Sequence, residues 1–167
     1  YITLMYAREN NDAWYTAVLP VTKRDIVRAK CRLILCAQLG QLLLSVPFAL
    51  LRSRLPIPNN PVGLDATAAW YGFGLMIFAL FDLIFFPAYY RSGYKAGKSF
   101  LLAMLPVVPA MLAVEGLSHV PALAWMDSCA PRDLYRQLPV LLTGGILYGI
   151  SLRAACRIAQ RRFEHVD

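Results

Sequence analysis

The chain has 167 residues, 58% of them hydrophobic and only 16% charged, against roughly 25% charged in an average globular chain. With a mean hydropathy of +0.48, this balance argues against a disordered chain, a disulfide scaffold and a plain soluble enzyme. Seventeen Lys and Arg against ten Asp and Glu leave a net charge of +7, which points to nucleic acid in a soluble chain and marks topology in a membrane chain.

In chain order, residues 1–32 read as a polar, basic segment containing a short amphipathic helix. Thr22 followed three residues later by Asp25 is a capping-box pattern, and Pro20 just upstream forces the chain out of helix, so a helix restarts near Lys23. A first apolar span runs over 33–51, about 19 residues and long enough to cross the hydrocarbon at about 1.5 Å per residue. The turn-rich stretch that follows carries Pro56, Pro58, Asn59, Asn60 and Pro61. A second span over 68–89 has Trp70 and Tyr71 at one end and Tyr89 and Tyr90 at the other, where interfacial belts put aromatic rings. A third, over 99–117, contains Pro106 and Pro109, which imply a kink rather than a stop. The fourth covers 138–155, with Gly144, Gly145 and Gly149 offering a small face for helix packing. A basic tail, 156–167, closes the chain. The expected fold is all-α: a polytopic transmembrane helical bundle with its four spans in residues 33–155.

Positive charge sorts sharply between the loops. Arg8, Lys23, Arg24, Arg28, Lys30 and Arg32 precede span one, Arg91, Lys95 and Lys98 join spans two and three, and Arg153, Arg157, Arg161 and Arg162 end the chain. That is thirteen of seventeen on one side, leaving Arg52, Arg54, Arg132 and Arg136 opposite. The positive-inside rule makes the C-terminus and the inner loops cytoplasmic in a multi-pass protein of the cytoplasmic membrane. Anionic-lipid or nucleic-acid binding is the competing explanation of the basic clusters, and the topological reading is preferred, with no nucleic acid as partner.

The polar chemistry within the spans is sparse. His119 and His165 are the only histidines, so no metal site is expected. Cys31, Cys36, Cys129 and Cys156 have neither zinc spacing nor the density of a secreted framework. His119, Asp127 and Cys129 suggest a thiol triad only weakly. Gly93 to Ser99 ends like a phosphate loop but is one residue short between its glycines, and it joins two spans rather than a strand to a helix. Asp82 is the one carboxylate well inside a span. It reads either as a pathway or proton-coupling residue, or as a structural carboxylate paired with Gln38, Gln41 or a lysine at the inner end. Its position toward that end favours the structural role. Gln38 and Gln41, three apart, share a face suited to interhelical hydrogen bonding.

The segment before span one resembles the inner loop of the ABC-2 type transporter permeases, small six-span bacterial exporter subunits. Trp14, Leu19, Pro20, Val21, Thr22, Lys23, Arg24, Ile26, Val27 and Lys30 stand at matching places. A second match follows span two, in Pro87-Ala88-Tyr89-Tyr90-Arg91-Ser92-Gly93-Tyr94-Lys95. Cys31 replaces the usual aromatic, Thr22 a serine, and the acidic pair before Trp14 is loosened to Glu9 and Asp12. The resemblance implies that Tyr1 to Ala7 end a second span, so that four of six spans lie in this N-terminally truncated chain. It implies a coupling helix at Leu19, Pro20, Val21, Thr22, Lys23, Arg24, Asp25 and Ile26, docking on a separate ABC ATPase subunit. It also implies a second permease copy or paralogue as partner in the bilayer, and no cofactor in this chain, with ATP and magnesium held by the ATPase. Gln38, Gln41 and Asp82 are the candidate pathway residues, and no catalytic residue is expected. A non-transporting membrane partner, such as a sensor or immunity protein, is the alternative; an intramembrane enzyme is less favoured because spans three and four offer few polar groups.

Overall fold

The computed structural model describes residues 21–54, 64–93 and 95–164. Four long helices make up almost all of it: α1 (Lys23–Arg54), α2 (Ala68–Arg91), α3 (Ala96–Ser118) and α4 (Pro131–Glu164), with a short 3-10 helix, Pro121–Met126, between the last two. All four are long and apolar enough to cross a membrane. The helices outrun the apolar stretches that predict them, because their polar ends continue the same hydrogen-bond ladder. The 32 residues of α1 and 34 of α4 reach about 48 and 51 Å at about 1.5 Å per residue, well beyond a hydrocarbon core of about 30 Å.

Local chemistry fixes the helix starts. Thr67 caps α2, its hydroxyl accepting from the Trp70 N–H at 3.3 Å, and α4 opens with the Asp133 and Leu134 amides donating to the Ala130 carbonyl. Gly93 takes a left-handed φ of +62° in the α2–α3 turn, a conformation that costs a glycine little. Pro47, Pro87, Pro106, Pro109 and Pro139 all lie inside helices. Each removes one donor from the ladder, and membrane helices tolerate this because neighbours satisfy the freed groups.

α2 is the centre of the bundle, packed chiefly against α4 and then α3, while α1 lies against α4. Several polar groups are inside, and many large apolar ones are outside. Asp82, Ser99, Gln137 and Thr67 are buried, whereas Leu43, Leu44 and Phe48 of α1, Leu101, Leu105 and Leu112 of α3, and Leu142, Ile146 and Ile150 of α4 are exposed. A soluble bundle could not carry that surface; lipid covers it at no cost.

The core concentrates in the basic half. Val27 and Cys31 of α1, Phe85, Phe86, Tyr89 and Tyr90 of α2, and Tyr148, Leu152, Ala155 and Ala159 of α4 pack together. Arg162 donates to the Pro87 carbonyl at 3.3 Å, and Lys23 lies over the Phe163 ring at 5.6 Å. A disulfide between Cys31 and Cys156 joins α1 to α4 there, a pairing that a sequence separation of 125 hides from any reading of cysteine spacing.

In the other half the helices approach most closely at glycine. A Cβ on Gly144 would strike the Gly72 backbone, and one on Gly72 would meet the Val140 carbonyl oxygen at 2.6 Å. Gly145 and Gly149 face open space, so one glycine of the expected small face makes the α2–α4 contact, and its partner is Gly72.

Candidate functional site

Two features bring sequence-predicted residues together. At the start of α1, Val21, Thr22, Lys23, Arg24 and Asp25 are exposed and Ile26 is half-buried. Leu19 and Pro20 lie outside the described residues, as do Glu9, Asp12, Trp14 and the Tyr1–Ala7 stretch. The cap differs in detail from a reciprocal box. Thr22 Oγ1 accepts from the Asp25 N–H at 3.2 Å, but its hydroxyl proton goes to Asp25 Oδ2 at 2.5 Å, so the carboxylate holds the cap side chain rather than the cap amide. That hydrogen bond holds the exposed Asp25 carboxyl below the usual carboxylate range; the little burial it has opposes this, and Arg28, 3.4 Å away, adds to it.

Deeper in, Gln38 joins three helices. Its amide donates to Asp82 Oδ1 at 3.1 Å, and its carbonyl accepts from the Tyr148 hydroxyl at 2.6 Å. Asp82 and Tyr148 are buried, and Asp82 Oδ2 has no hydrogen-bond partner among the described residues. Gln38 is therefore the partner of Asp82. Gln41 does not join them; it lies exposed on α1, because a step of three residues turns the side chain about 60° off the Gln38 direction. A second link between α1 and α2 runs from Ser45 to the Tyr71 hydroxyl at 2.9 Å.

At the end opposite the basic one, Gln137 is 1% exposed. Its oxygen accepts from the Ala68 N–H at 3.1 Å and its amide donates to the Trp125 and Ser128 carbonyls, both at 2.8 Å. Thr67 donates to the Met126 carbonyl at 2.8 Å, and the Asp65 amide to Asp127 Oδ1 at 2.5 Å. This clasp pins the start of α2 to the 3-10 helix and α4. Nothing local marks Gln137, since a lone glutamine just before an apolar run looks like a surface residue.

The whole arrangement is a central helix, α2, among three with exposed apolar faces, with a buried polar link, a clasp at one end and an exposed capped helix start at the other. Compared with known families, residues 1–158 match the model described as ABC-2 family transporter protein. The chain belongs to the ABC-2 transporter family. No curated protein and no solved structure shows a match.

As an ABC-2 permease, the chain is a multi-pass integral membrane protein, a component of ABC-type transporters, whose family members work with ABC ATPase partners. The weaker chemical suggestions in the sequence do not assemble. His119 Nδ1 sits 3.1 Å from the Glu115 carbonyl and Asp127 is engaged with Asp65. Burial, then the negative charges of Asp65 and Asp127, push the Cys129 thiol up, with Arg52 opposing, the reverse of an activated nucleophile. Of the phosphate-loop look-alike, Gly97 and Lys98 are already inside α3, and Ser99 is buried with its hydroxyl on the Lys95 carbonyl at 3.1 Å. Tyr94 lies outside the described residues.

Proposed function

We propose that this ABC-2 permease is the membrane subunit of an ATP-driven exporter in the cytoplasmic membrane, with its basic end cytoplasmic, and that Leu19 to Ile26 form the element on which a separate ATPase subunit docks. Two permease copies, or this chain and a paralogue, would enclose the path. The observation that carries the reading is the continuity of α1: one helix runs unbroken from the exposed Thr22–Asp25 cap to Arg54. Closure of an ATPase dimer against that cap would act on a rod free of proline from Lys23 as far as Val46. Gln38, bonded to Asp82 and Tyr148, connects the rod sideways to α2 and α4, so displacement of the cap passes into the bundle as a rigid-body tilt.

Leu19, Pro20, Val21 and Ile26 supply the apolar docking face in this scheme, and Lys23, Arg24 and Asp25 its polar rim. Gln38 and Asp82 link the moving helices beside the path, and Gln41, exposed on α1, is left as a candidate for lining it. The test is co-purification of a co-expressed ABC ATPase subunit with the permease. Pro20→Asp combined with Ile26→Asp should abolish co-purification and the ATP hydrolysis that depends on the permease. Retention of both by a variant that still folds overturns the docking assignment.

A further inference from the structure

Between α1 and α4 at the basic end runs a groove with a free volume of about 270 Å³. Arg28 and Arg32 line one wall, Arg153 and Arg157 the other, and Leu35, Leu152 and the Cys31–Cys156 pair form its floor. Each arginine pair is spaced i, i+4, so its two guanidiniums project from one face of their helix. The helices run antiparallel, and with Cys31 opposite Cys156, Leu35 stands level with Leu152 and Arg32 falls between Arg153 and Arg157.

Three of the four charges in this groove are uncompensated among the described residues. Arg28 reaches Asp25 at 3.4 Å, with both side chains about half exposed, while Arg32, Arg153 and Arg157 make no hydrogen bond or ion pair among the described residues. No carboxylate lines the groove. Like charges converging beside an apolar floor call for an anion, and guanidinium is the group best matched to phosphate, which it binds through paired charge-assisted hydrogen bonds.

We infer that the groove is a binding site for an anionic phospholipid, its phosphate held between the two arginine walls and an acyl chain lying on the Leu35–Leu152 floor. The apolar floor distinguishes a lipid from a free phosphate. Leu39, one turn beyond Leu35 on the same face, is exposed and extends the floor into the lipid-facing surface. The volume is just under that of small-molecule clefts, about 300 Å³ and upward. That suits a head group whose chains stay in the bilayer. Basic pockets between spans at head-group depth are the general setting for such recognition. The inference rests on the helices spanning a membrane, and holds whichever face the basic end occupies. A lipid there would bridge α1 and α4 at the same level as the disulfide.

The test is native mass spectrometry of the full-length protein, released from neutral-detergent micelles containing phosphatidylglycerol or phosphatidylcholine. Wild type should retain phosphatidylglycerol in preference, and R32Q/R153Q/R157Q should weaken that retention about tenfold or more, about 1.4 kcal/mol. R132Q/R136Q, at the opposite end, should leave it unchanged. Leu35→Trp, which fills the floor while keeping every charge, should also lose the lipid, and it decides the matter if the triple variant fails to fold. Four outcomes overturn the assignment: equal retention of phosphatidylcholine, displacement by millimolar inorganic phosphate, equal loss in R132Q/R136Q, or unchanged binding in a folded triple variant or in Leu35→Trp.

Discussion

Replacing Gln137 by methionine, of nearly the same shape, removes the glutamine's hydrogen bonds from the clasp and little else. Three partners lose their bonds: the Ala68 N–H and the Trp125 and Ser128 carbonyls. The N–H belongs to the first turn of α2, where the helix supplies no acceptor of its own. An unpaired buried group costs about 1–3 kcal/mol. The low end applies because Trp125 and Ser128 are only half-buried and water can reach them, so the loss is about 3 kcal/mol. At about 2–4 °C per kcal/mol for a chain of this size, Tm falls by about 6–12 °C. Trp70 and Trp125 flank the clasp, so tryptophan fluorescence of the protein in detergent reports the transition. Gln137→Glu separates acceptor from donor: a carboxylate still accepts from Ala68 but sets negative charge against two carbonyls. It should be at least as damaging as methionine at neutral pH and recover in part as acid restores an O–H donor. A methionine variant within about 2 °C of wild type, below the loss from even one such bond, would refute the reasoning.

Two further substitutions test the bundle interior. Gly144→Ala drives a methyl group into the Gly72 backbone, an overpacking worth about 1–3 kcal/mol, whereas Gly145→Ala enters open space and should be neutral or mildly stabilising; equal Tm values for the two would show that the crossing is not as close as described. For Gln38→Leu with Asp82→Leu, a double-mutant cycle should give a coupling of about 0.6–1.7 kcal/mol, from the average to the largest value for hydrogen bonds between membrane helices. Zero coupling would mean that the two side chains do not support each other.

Much of this architecture is legible along the chain, because the spans are local. A run of about 20 apolar residues needs no tertiary information to be recognised, and the Thr22–Asp25 cap is complete within four positions. Asp82 called for a partner on energetic grounds, and Gln38 stood among the candidates. The choice of Gln38 over Gln41 depended on the rotation of α1, which packing sets. Tyr148, Gln137 and Gly72 were not legible, since each acts on residues far away in sequence. Tyr148 meets Gln38 across 110 positions, and a tyrosine in an apolar run looks like any other large side chain. The Cys31–Cys156 bridge was missed for the same reason.

The glycine crossing divides α4 unequally. Gly144 lies about 10 Å along the helix from Gln137 and about 27 Å from Arg162, at about 1.5 Å per residue. No side chain separates the two backbones there, so any rocking of α4 against α2 would have its fulcrum at this crossing. A lever pivoted there has arms in a ratio of about two and a half to one. A displacement of several ångströms at the basic end arrives at the clasp as little more than one, the scale on which hydrogen bonds such as those of Gln137 break and re-form. The gearing also runs in reverse, so tightening or loosening the clasp by about an ångström would swing the basic end by about two and a half.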